Sequence, residues 1–253
     1  MLSAERRLKI AEMASNNSGI RTSELSHMFE VSEMTILRDL NVLEERGILK
    51  RVYGGAVAIK DTSRDIPVNL REKINVEAKN AISLNALEVV SDGDSVLLDG
   101  SSTSLALAKN LYKKNDITVI SNGFNIINEL KDIKGVNLIS LGGEYDPVTM
   151  NFIGPAAVSM LSNFNADKAF ISSAGISLDI GITVANSMQA MLKKAMVESA
   201  VQSILLVDDT KFGKITLNKV CDIGDIDMIV TNKKPDKIFL DHFKEKTDIN
   251  LVY

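Results

Sequence analysis

The stretch VSEMTILRDLNVLEERGILKRVYGG, residues 31–55, constrains the fold of this chain more strongly than any other. Ser32 is a good helix N-cap, because its hydroxyl can accept a hydrogen bond from a backbone N–H group of the first turn. The apolar residues that follow recur at i, i+4 and i+7, namely Ile36, Leu40 and Leu43. This spacing predicts a short helix with one buried face, which ends at Gly47.

The opposite side of this predicted helix carries side chains suited to reading DNA. They are Met34, Thr35, Arg38 and Asn41, with Leu37 on the flank. Such a helix can enter a DNA major groove if a second helix packs against its apolar face. The sequence predicts that helix just upstream, from Thr22 as its N-cap to Phe29. Residues 30–32 then have the length of a helix-turn-helix corner.

A hairpin is predicted after the two helices, in residues 48–59. Its two short apolar arms flank Gly54 and Gly55, a pair that tolerates the positive φ values of a tight turn. With a first helix over residues 4–15, residues 1–59 are predicted to form a winged helix-turn-helix domain that binds double-stranded DNA, with the wing at the phosphates. The predicted DNA-binding residues are Thr22, Ser32, Met34, Thr35, Leu37, Arg38, Asn41, Lys50, Arg51 and Tyr53.

These motifs resemble those of the DeoR-type family of bacterial transcriptional regulators. The matching residues are Glu5-Arg6-Arg7, Val31-Ser32, Thr35-Ile36, Arg38-Asp39-Leu40, Leu43, Gly47, Leu49 and Arg51 with Gly54-Gly55-Ala56-Val57. The family usually has two adjacent arginines after Thr-Ile, whereas this chain has Leu37 in the first position. An apolar side chain cannot make the bidentate contact with guanine that arginine makes, so the operator sequence is not transferable from relatives. The competing interpretation of this stretch is a small helical subdomain that docks a protein or only packs against the rest of the chain.

Length and composition agree with a cytoplasmic two-domain protein. The 253 residues are 45% hydrophobic and 25% charged, which is ordinary for globular proteins. No apolar run approaches the ~20 residues of a membrane helix, and the start MLSAERR is followed by no signal-peptide core, so no membrane partner is expected. The lone Cys221 excludes an internal disulfide and is expected to be an inert buried thiol.

The distribution of charge bears on the DNA partner. The net charge is −4, but residues 1–60 carry nine Lys and Arg against eight Asp and Glu, a net of +1. The remainder carries 20 against 25, a net of −5. Because no strongly basic patch is visible, non-specific affinity for phosphates is expected to be modest and sensitive to salt. We therefore expect a homo-oligomer, a dimer or a tetramer, which multiplies the DNA contacts.

Residues 60–70 form a polar linker in this interpretation, and residues 71–253 form an α/β domain that senses an effector and oligomerises. A long helix is predicted over residues 70–90. Short apolar strands then alternate with helices, a pattern that favours a largely parallel sheet. The predicted strands are 95–99, 117–121, 136–141, 168–172, 203–207, 226–230 and 249–252, and the predicted helices are 104–113, 124–131, 155–163, 187–201 and one after Pro235.

Four loops that follow predicted strands have the chemistry of a small-ligand site. In open α/β sheets, ligands bind beyond the carboxyl ends of strands, where loops meet helix N-termini. Small residues there leave N–H and hydroxyl groups free for a phosphate, and Lys211 supplies a cation. The effector-binding residues predicted from these loops are Asp99, Gly100, Ser101, Ser102, Thr103, Asn122, Gly142, Gly143, Asp208 and Lys211, and the family resemblance described next adds Gly175.

The same loops extend the resemblance to the DeoR-type family. The segments DGSST, SNG, LGG, SSAGI and DDTKFG match its effector domain, whose sheet is similar to that of ribose-phosphate isomerases. The resemblance runs from Glu5 to about Asn232 and implies a phosphorylated sugar as effector. Relatives often have glutamate where this chain has Gln189, so the particular sugar is not transferable.

Three functions remain open at this stage. The favoured one is a transcriptional regulator, most simply a repressor, of a carbohydrate-metabolism operon that responds to a phosphorylated sugar. The alternative is a sugar-phosphate isomerase-like enzyme with an appended helical domain, because Asp99, Glu144, Asp208 and Lys211 provide carboxylates and a cation for acid–base chemistry. The third is a DNA-binding protein whose α/β domain only oligomerises. No metal-ligand spacing occurs, and neither a metal nor another cofactor is expected.

Overall fold

The computed structural model describes residues 3–16, 19–45, 48–58, 65–246 and 249–253. The chain forms two compact units, Met1–Asp61 with Asn69–Asn75 and Thr62–Val68 with Val76–Tyr253. The helices are α1 (Ser3–Asn16), α2 (Thr22–Phe29), α3 (Glu33–Glu45), α4 (Val68–Arg71), α5 (Val76–Val89), α6 (Ser102–Ala108), α7 (Phe124–Leu130), α8 (Pro155–Leu161), α9 (Ser187–Glu198) and α10 (Lys237–Lys246).

The strands are β1 (Ile20–Arg21), β2 (Leu49–Val52), β3 (Gly55–Ala58), β4 (Ser95–Leu98), β5 (Ile117–Ser121), β6 (Val136–Ser140), β7 (Glu144–Asp146), β8 (Asn151–Ile153), β9 (Ala166–Ser172), β10 (Gly175–Ser177), β11 (Gly181–Val184), β12 (Ala200–Leu206), β13 (Asn218–Cys221), β14 (Met228–Val230) and β15 (Asn250–Val252). Two predicted boundaries, the end of the recognition helix at Gly47 and the end of the hairpin at Ile59, lie outside the described residues.

Helices α1 to α3 and the antiparallel sheet β1-β3-β2 form the winged helix-turn-helix that the sequence predicts. The predicted stripe on α3 is buried, with Ile36 and Leu40 at 0% exposure and Leu43 at 1%. Ser32 caps this helix, because its Oγ accepts a hydrogen bond from the N–H of Thr35 at 3.3 Å. The predicted fold of this part of the chain is therefore confirmed.

The corner between α2 and α3 is fixed by its own hydrogen bonds. Glu30 adopts the left-handed conformation, with φ of 52°, and ends α2. The hydroxyl of Ser26 donates to the carbonyl oxygen of Val31 at 2.6 Å, and the N–H of Val31 donates back to the carbonyl of Ser26 at 3.2 Å. These bonds satisfy groups that the end of a helix otherwise leaves unpaired, so the angle between the two helices is well specified.

The wing differs in one respect from the sequence prediction. Val52 pairs with Gly55, so the turn contains only Tyr53 and Gly54, and of the two glycines only Gly54 has positive φ, at 77°. Gly55 lies in β3, where a Cβ atom would come within 2.0 Å of the carbonyl oxygen of Ile20. A glycine at position 55 thus permits the pairing of β1 with β3, which the sequence did not predict because a two-residue strand has no periodicity.

The second unit is built on a seven-stranded, wholly parallel sheet in the order β15-β14-β12-β9-β4-β5-β6. Alternate residues of each strand face opposite sides. In β4, Leu97 packs into a core with α8, α9 and α10, while Val96 and Leu98 pack into a core with α5, α6 and α7. Both faces are covered, as expected for a parallel sheet, and the predicted α/β class is confirmed.

Two further predictions are wrong. The helix predicted over residues 70–90 is two helices, α4 and α5, because Asn75 between them takes the left-handed conformation with φ of 52°. The sequence also missed the antiparallel strands β7, β8, β10, β11 and β13. These strands are three or four residues long and lie outside the main sheet, so they lack the apolar runs that identify the parallel strands.

Two expectations drawn from composition can be compared with the structure. No helix in the described ranges is long and apolar enough to cross a membrane. Cys221 is buried, and burial, with the nearby charges of Asp225 and Asp222, raises the pKa of its thiol to about 12. The thiolate is the reactive form, so Cys221 has the environment of an inert thiol, as predicted.

Candidate DNA-binding surface and effector site

The recognition helix α3 is anchored from behind by a buried ion pair. Asp39 accepts hydrogen bonds from Nε of Arg6 at 2.6 Å and from Nε of Arg7 at 2.8 Å, both on α1. The side chains of Asp39 and Arg6 are only 4% and 7% exposed. Because both arginines are engaged in this contact, Arg6 and Arg7 help to orient α3 from within the domain.

The predicted DNA-reading side of α3 is accessible. Met34 is 60% exposed, Arg38 and Asn41 are exposed, and Thr35 and Leu37 are half-buried. Met34, Arg38 and Asn41 follow each other at i, i+4 and i+7, so they share one face of the helix. This face has the arrangement that a major-groove contact requires.

The wing contacts the recognition helix through Arg51. Its Nη1 donates a hydrogen bond to Oδ1 of Asn41, and its backbone N–H donates to Oε1 of Glu44 at 2.8 Å. Lys50 and Tyr53 are exposed, and Tyr53 lies in the hairpin turn. The predicted contacts from helix and wing therefore belong to one continuous surface, whereas the sequence alone presented them as two.

The structure contradicts the predicted DNA-binding role of Thr22. It is the first residue of α2, not its cap, and its side chain is buried with 4% exposure. Its N–H donates to the carbonyl of Gly54 at 2.9 Å, which joins the start of α2 to the wing. A side chain buried in this way cannot reach DNA, so we remove Thr22 from the set.

The loops predicted to bind an effector follow the carboxyl ends of parallel strands. From β4 the chain continues outward through β5 and β6, then crosses to β9 on the other side of β4 and continues through β12, β14 and β15. The strand order thus reverses between β4 and β9. In sheets of this kind the crevice at the reversal is where ligands bind, and Asp99 directly follows β4 there.

Asp99 is the centre of a buried polar network. Its Oδ1 accepts from Oγ of Ser104 at 2.5 Å, and its Oδ2 accepts from the N–H of Ser172 at 2.7 Å and from Nζ of Lys193. Burial opposes ionisation of Asp99, but the charge of Lys193 and these hydrogen bonds outweigh it and lower the pKa of the carboxyl below its ordinary value. Asp99 is therefore a carboxylate whose oxygens are already engaged inside the protein.

A small cavity lies beside this ion pair. It measures about 10 Å³, the minimum for about one water molecule. Its lining residues are Asp99, Gly100, Asn122, Asn151, Gln189, Leu192, Lys193 and Met196. Oδ1 of Asn151 is buried and has no hydrogen-bond partner among the residues that the structure describes, which leaves an unpaired acceptor at the cavity.

Gly100 makes this arrangement possible. A Cβ atom at position 100 would lie 1.8 Å from Oδ1 of Asn151, so only glycine lets that amide approach the backbone. The N–H of Gly100 donates to Oδ1 of Asn122 at 3.0 Å, and Nδ2 of Asn122 donates to the carbonyl of Phe152 at 3.0 Å. The loops after β4 and β5 and the β7–β8 hairpin are therefore brought together, while the effector-binding roles of Gly100 and Asn122 stay predictions.

Gln189 and Lys193 were not among the predicted effector-binding residues. Both belong to α9, and with Leu192 and Met196 they follow the spacing i, i+3, i+4 and i+7. Gln189 is 6% exposed and Lys193 is 8% exposed. A lysine and a glutamine on an otherwise apolar helix face were the available signal, because such side chains are rarely buried without a partner.

Other predicted effector residues do not line this cavity. They are Ser101, Ser102, Thr103, Gly142, Gly143, Gly175, Asp208 and Lys211. Ser101 is the N-cap of α6, and its Oγ accepts from the N–H of Ser104 at 3.0 Å. Oδ1 of Asp208 accepts from the N–H of Thr210 at 3.0 Å, so it stabilises its own loop.

Lys211 occupies the loop after β12 together with a second lysine. The pKa of Lys214 is lowered, first by desolvation and then by the positive charge of Lys211, while Asp208 opposes the shift. The positive charges of the two lysines would favour the binding of an anion near this loop. Strand β12 is two strands from β4, so the two strands are about 10 Å apart within the sheet.

Fold and site together define a class of protein. A winged helix-turn-helix and an α/β domain with a polar cavity at its sheet edge are the parts of a ligand-responsive DNA-binding regulator. The model of the DeoR-like helix-turn-helix domain matches residues 6–62, and that of the DeoR C terminal sensor domain matches residues 74–233. The chain belongs to the DeoR family of transcriptional regulators.

Two relatives illustrate the match. The uncharacterized HTH-type transcriptional regulator YulB of Bacillus subtilis (strain 168) is 36% identical, over 97% of this chain and 95% of its own length. The transcriptional repressor AccR of Agrobacterium fabrum (strain C58 / ATCC 33970) is 35% identical, over 90% of this chain and 89% of its own length. The family and these relatives confirm the prediction of a transcriptional regulator over that of an isomerase-like enzyme.

The α/β domain also has a distant structural neighbour. The ribose 5-phosphate isomerase A of Methanocaldococcus jannaschii matches 55% of this chain and 55% of its own, with a TM-score of 0.40 and 16% identity. A likeness of this size says nothing about activity. Within the described ranges, no group of three or more His, Cys, Asp or Glu side chains is arranged to hold a metal ion.

Proposed function

We propose that this regulator is a cytoplasmic repressor of a carbohydrate-metabolism operon, which binds double-stranded operator DNA as a dimer or tetramer and responds to a phosphorylated sugar. In this proposal residues 1–59 bind DNA, residues 60–70 are the linker, and residues 71–253 sense the effector and oligomerise. The proposed DNA contacts are Ser32, Met34, Thr35, Leu37, Arg38, Asn41, Lys50, Arg51 and Tyr53. The family supports the regulatory role, and the exposed face of α3 with the adjoining wing supports these residues.

The main support for the effector assignment is the polar cavity at the point where the strand order reverses. Lys193 and the unpaired Oδ1 of Asn151 provide a cation and an acceptor there, and Asn122 and Gln189 provide amide groups. Sugar hydroxyls pair with such groups because each hydroxyl both donates and accepts. Asp99 acts in the proposal by holding Lys193 in place.

We place the phosphate near Lys211 and Lys214. The distance of about 10 Å between strands β4 and β12 is comparable with the length of a hexose phosphate. The sugar would then occupy the cavity at Asp99 and the phosphate the loop after β12. The cavity, at about 10 Å³, is too small for a sugar as it stands, so binding requires its lining side chains to move.

The test begins with selection of an operator from randomised duplex DNA by the full-length protein. The complex is then titrated with glucose 6-phosphate, fructose 1-phosphate, fructose 6-phosphate and ribose 5-phosphate, with inorganic phosphate and unphosphorylated sugars as controls. We expect at least one sugar phosphate, and no control, to change the operator affinity. A protein that selects no operator contradicts the DNA-binding assignment, and an operator complex indifferent to the whole panel contradicts the effector assignment.

A further inference from the structure

Residues 65–68, which we call the strap, make at least two hydrogen bonds with described residues of the α/β unit. Nε2 of Gln189 donates a hydrogen bond to Oδ2 of Asp65 at 3.2 Å, across 124 positions of sequence. The N–H of Val68 donates to the carbonyl oxygen of Val148 at 3.0 Å, and the Val68 side chain is 3% exposed. The strap lies within the stretch predicted as a linker, yet it has defined contacts.

Both of these hydrogen bonds connect the strap to residues that line the effector cavity or lie close to its lining in the chain. Gln189 lines the cavity directly. Val148 lies in the turn of the β7–β8 hairpin, three residues before Asn151, whose unpaired Oδ1 faces the same cavity. Within the hairpin turn, Oδ1 of Asp146 accepts from the N–H of Val148 at 3.0 Å, so Val148 moves with the hairpin.

Because the cavity is small, a bound ligand would disturb the side chains that hold the strap. A ligand larger than a water molecule must displace lining side chains, and Gln189 and Asn151 are uncharged amides without the ion pair that holds Lys193. If a sugar hydroxyl takes the amide of Gln189, that amide is withdrawn from Asp65. If the hairpin shifts with Asn151, the bond between Val68 and Val148 weakens.

We propose that the strap reports occupancy of the cavity: the bound ligand competes with Asp65 for Gln189 and releases residues 65–68 from the α/β unit. Asp65 is thus a positioning residue that acts through Gln189. An effector changes an equilibrium only by binding two arrangements with different affinity, and the attached and released straps are those two arrangements. This inference rests on the proposed effector function of the cavity.

The residue at position 189 also determines what the strap can pair with. A glutamine amide can donate to the carboxylate of Asp65, whereas a glutamate at position 189 would place two carboxylates together. The pairing of Gln189 with Asp65 therefore gives a reason for the glutamine in this chain. It also predicts that the amide and the carboxylate can be swapped between the two positions. Combining Gln189→Glu with Asp65→Asn would restore a hydrogen bond in the opposite direction, because the new amide donates to the new carboxylate.

The experiment measures hydrogen exchange of the peptide containing Val68 in the full-length protein. Asp65→Ala removes the acceptor, Asp65→Asn keeps an acceptor without the charge, and Asp179→Ala removes a charge at an exposed position. In the wild type, we expect sugar phosphate to lower the protection of the Val68 peptide from exchange. Asp65→Ala should show the same lowered protection without ligand. Asp65→Asn and Asp179→Ala should behave as the wild type, and Gln189→Glu should lose protection that adding Asp65→Asn restores.

Binding of the four sugar phosphates is measured on the same proteins by calorimetry. Because Asp65→Ala removes a hydrogen bond that the ligand must break, it should bind the active sugar phosphate about two- to tenfold more tightly than the wild type. Equal affinity in the two proteins, with unchanged protection of Val68 in the ligand complex, overturns the strap and leaves the proposed function standing. Absence of binding by every protein contradicts the proposed function itself, and the strap with it.

Discussion

Nζ of Lys193 donates a hydrogen bond to Oδ2 of Asp99, and the two side chains are 10% and 2% exposed. The pair lies at the point where the strand order reverses, and both of its members line the cavity there. Removing one partner of such a pair leaves the other charge buried without compensation, at a typical cost of about 3–5 kcal/mol. The site is therefore expected to be sensitive to substitution in its stability as well as in its binding.

Asp99→Asn should change the acid sensitivity of the protein. The pKa of Asp99 is lower in the folded chain than the ordinary value of 3.8, so its contribution to stability is present above that value and is lost as the pH falls through the native pKa. The variant should be less stable near neutrality and should lose less free energy of unfolding below about pH 4. Urea unfolding followed by circular dichroism checks this, with Asp132→Asn, at an exposed position, as control. If the free energies of unfolding of the variant and the wild type fall in parallel as the solution is acidified, the prediction is wrong.

Arg38→Ala should alter sequence preference at the operator. Arg38 projects from the exposed face of α3, and loss of a bidentate base contact costs about 1–3 kcal/mol per half-site and relaxes specificity at one position. Lys50→Ala, in the wing, should instead weaken binding to all sequences and reduce its salt dependence. Binding of both variants to a randomised operator library distinguishes these roles, and identical profiles would show that the division is wrong.

Arg51 and Asn41 should act as one unit in DNA binding. Because Nη1 of Arg51 donates to Oδ1 of Asn41, the costs of replacing each by alanine should not add, and the double variant should fall short of the sum by about 0.5–1.5 kcal/mol. Met34 is seven residues, about 10 Å, from Asn41 along the helix, so Arg51→Ala and Met34→Ala should add. Operator affinities of the single and double variants supply the measurement. If the costs of Arg51→Ala and Asn41→Ala in operator affinity add, the contact between the two side chains has no role in DNA binding.

The sequence predicted what depends on local chemistry and periodicity. Ser32 and the stripe on α3 identified the recognition helix, and the apolar runs identified the strands of the parallel sheet. The Gly100 loop was placed correctly at the sheet edge, because parallel strands bring their carboxyl ends to one side.

What the sequence missed depends on contacts between distant segments. Gln189 and Lys193 gain their significance from Asp65 and Asp99, which are 124 and 94 positions away. The break at Asn75 and the short strands β7 to β8 leave no periodic pattern because they are set by packing against the rest of the unit. Burial of Thr22 likewise follows from the pairing of β1 with the wing.

The central claim is that a sugar phosphate bound at the edge of the sheet controls operator binding by way of Lys211. The decisive measurement is the operator dissociation constant with and without the active sugar phosphate, for the wild type, Lys211→Ala and Lys134→Ala. Lys134 is an exposed lysine just before β6, at the opposite edge of the sheet, and its replacement makes the same change in charge. We predict a change of about 5- to 150-fold for the wild type and for Lys134→Ala, the usual range of coupling between two sites. Lys211→Ala should bind the operator as the wild type does without effector, and should not respond to the sugar phosphate. A Lys211→Ala protein that responds as strongly as the wild type would contradict the account.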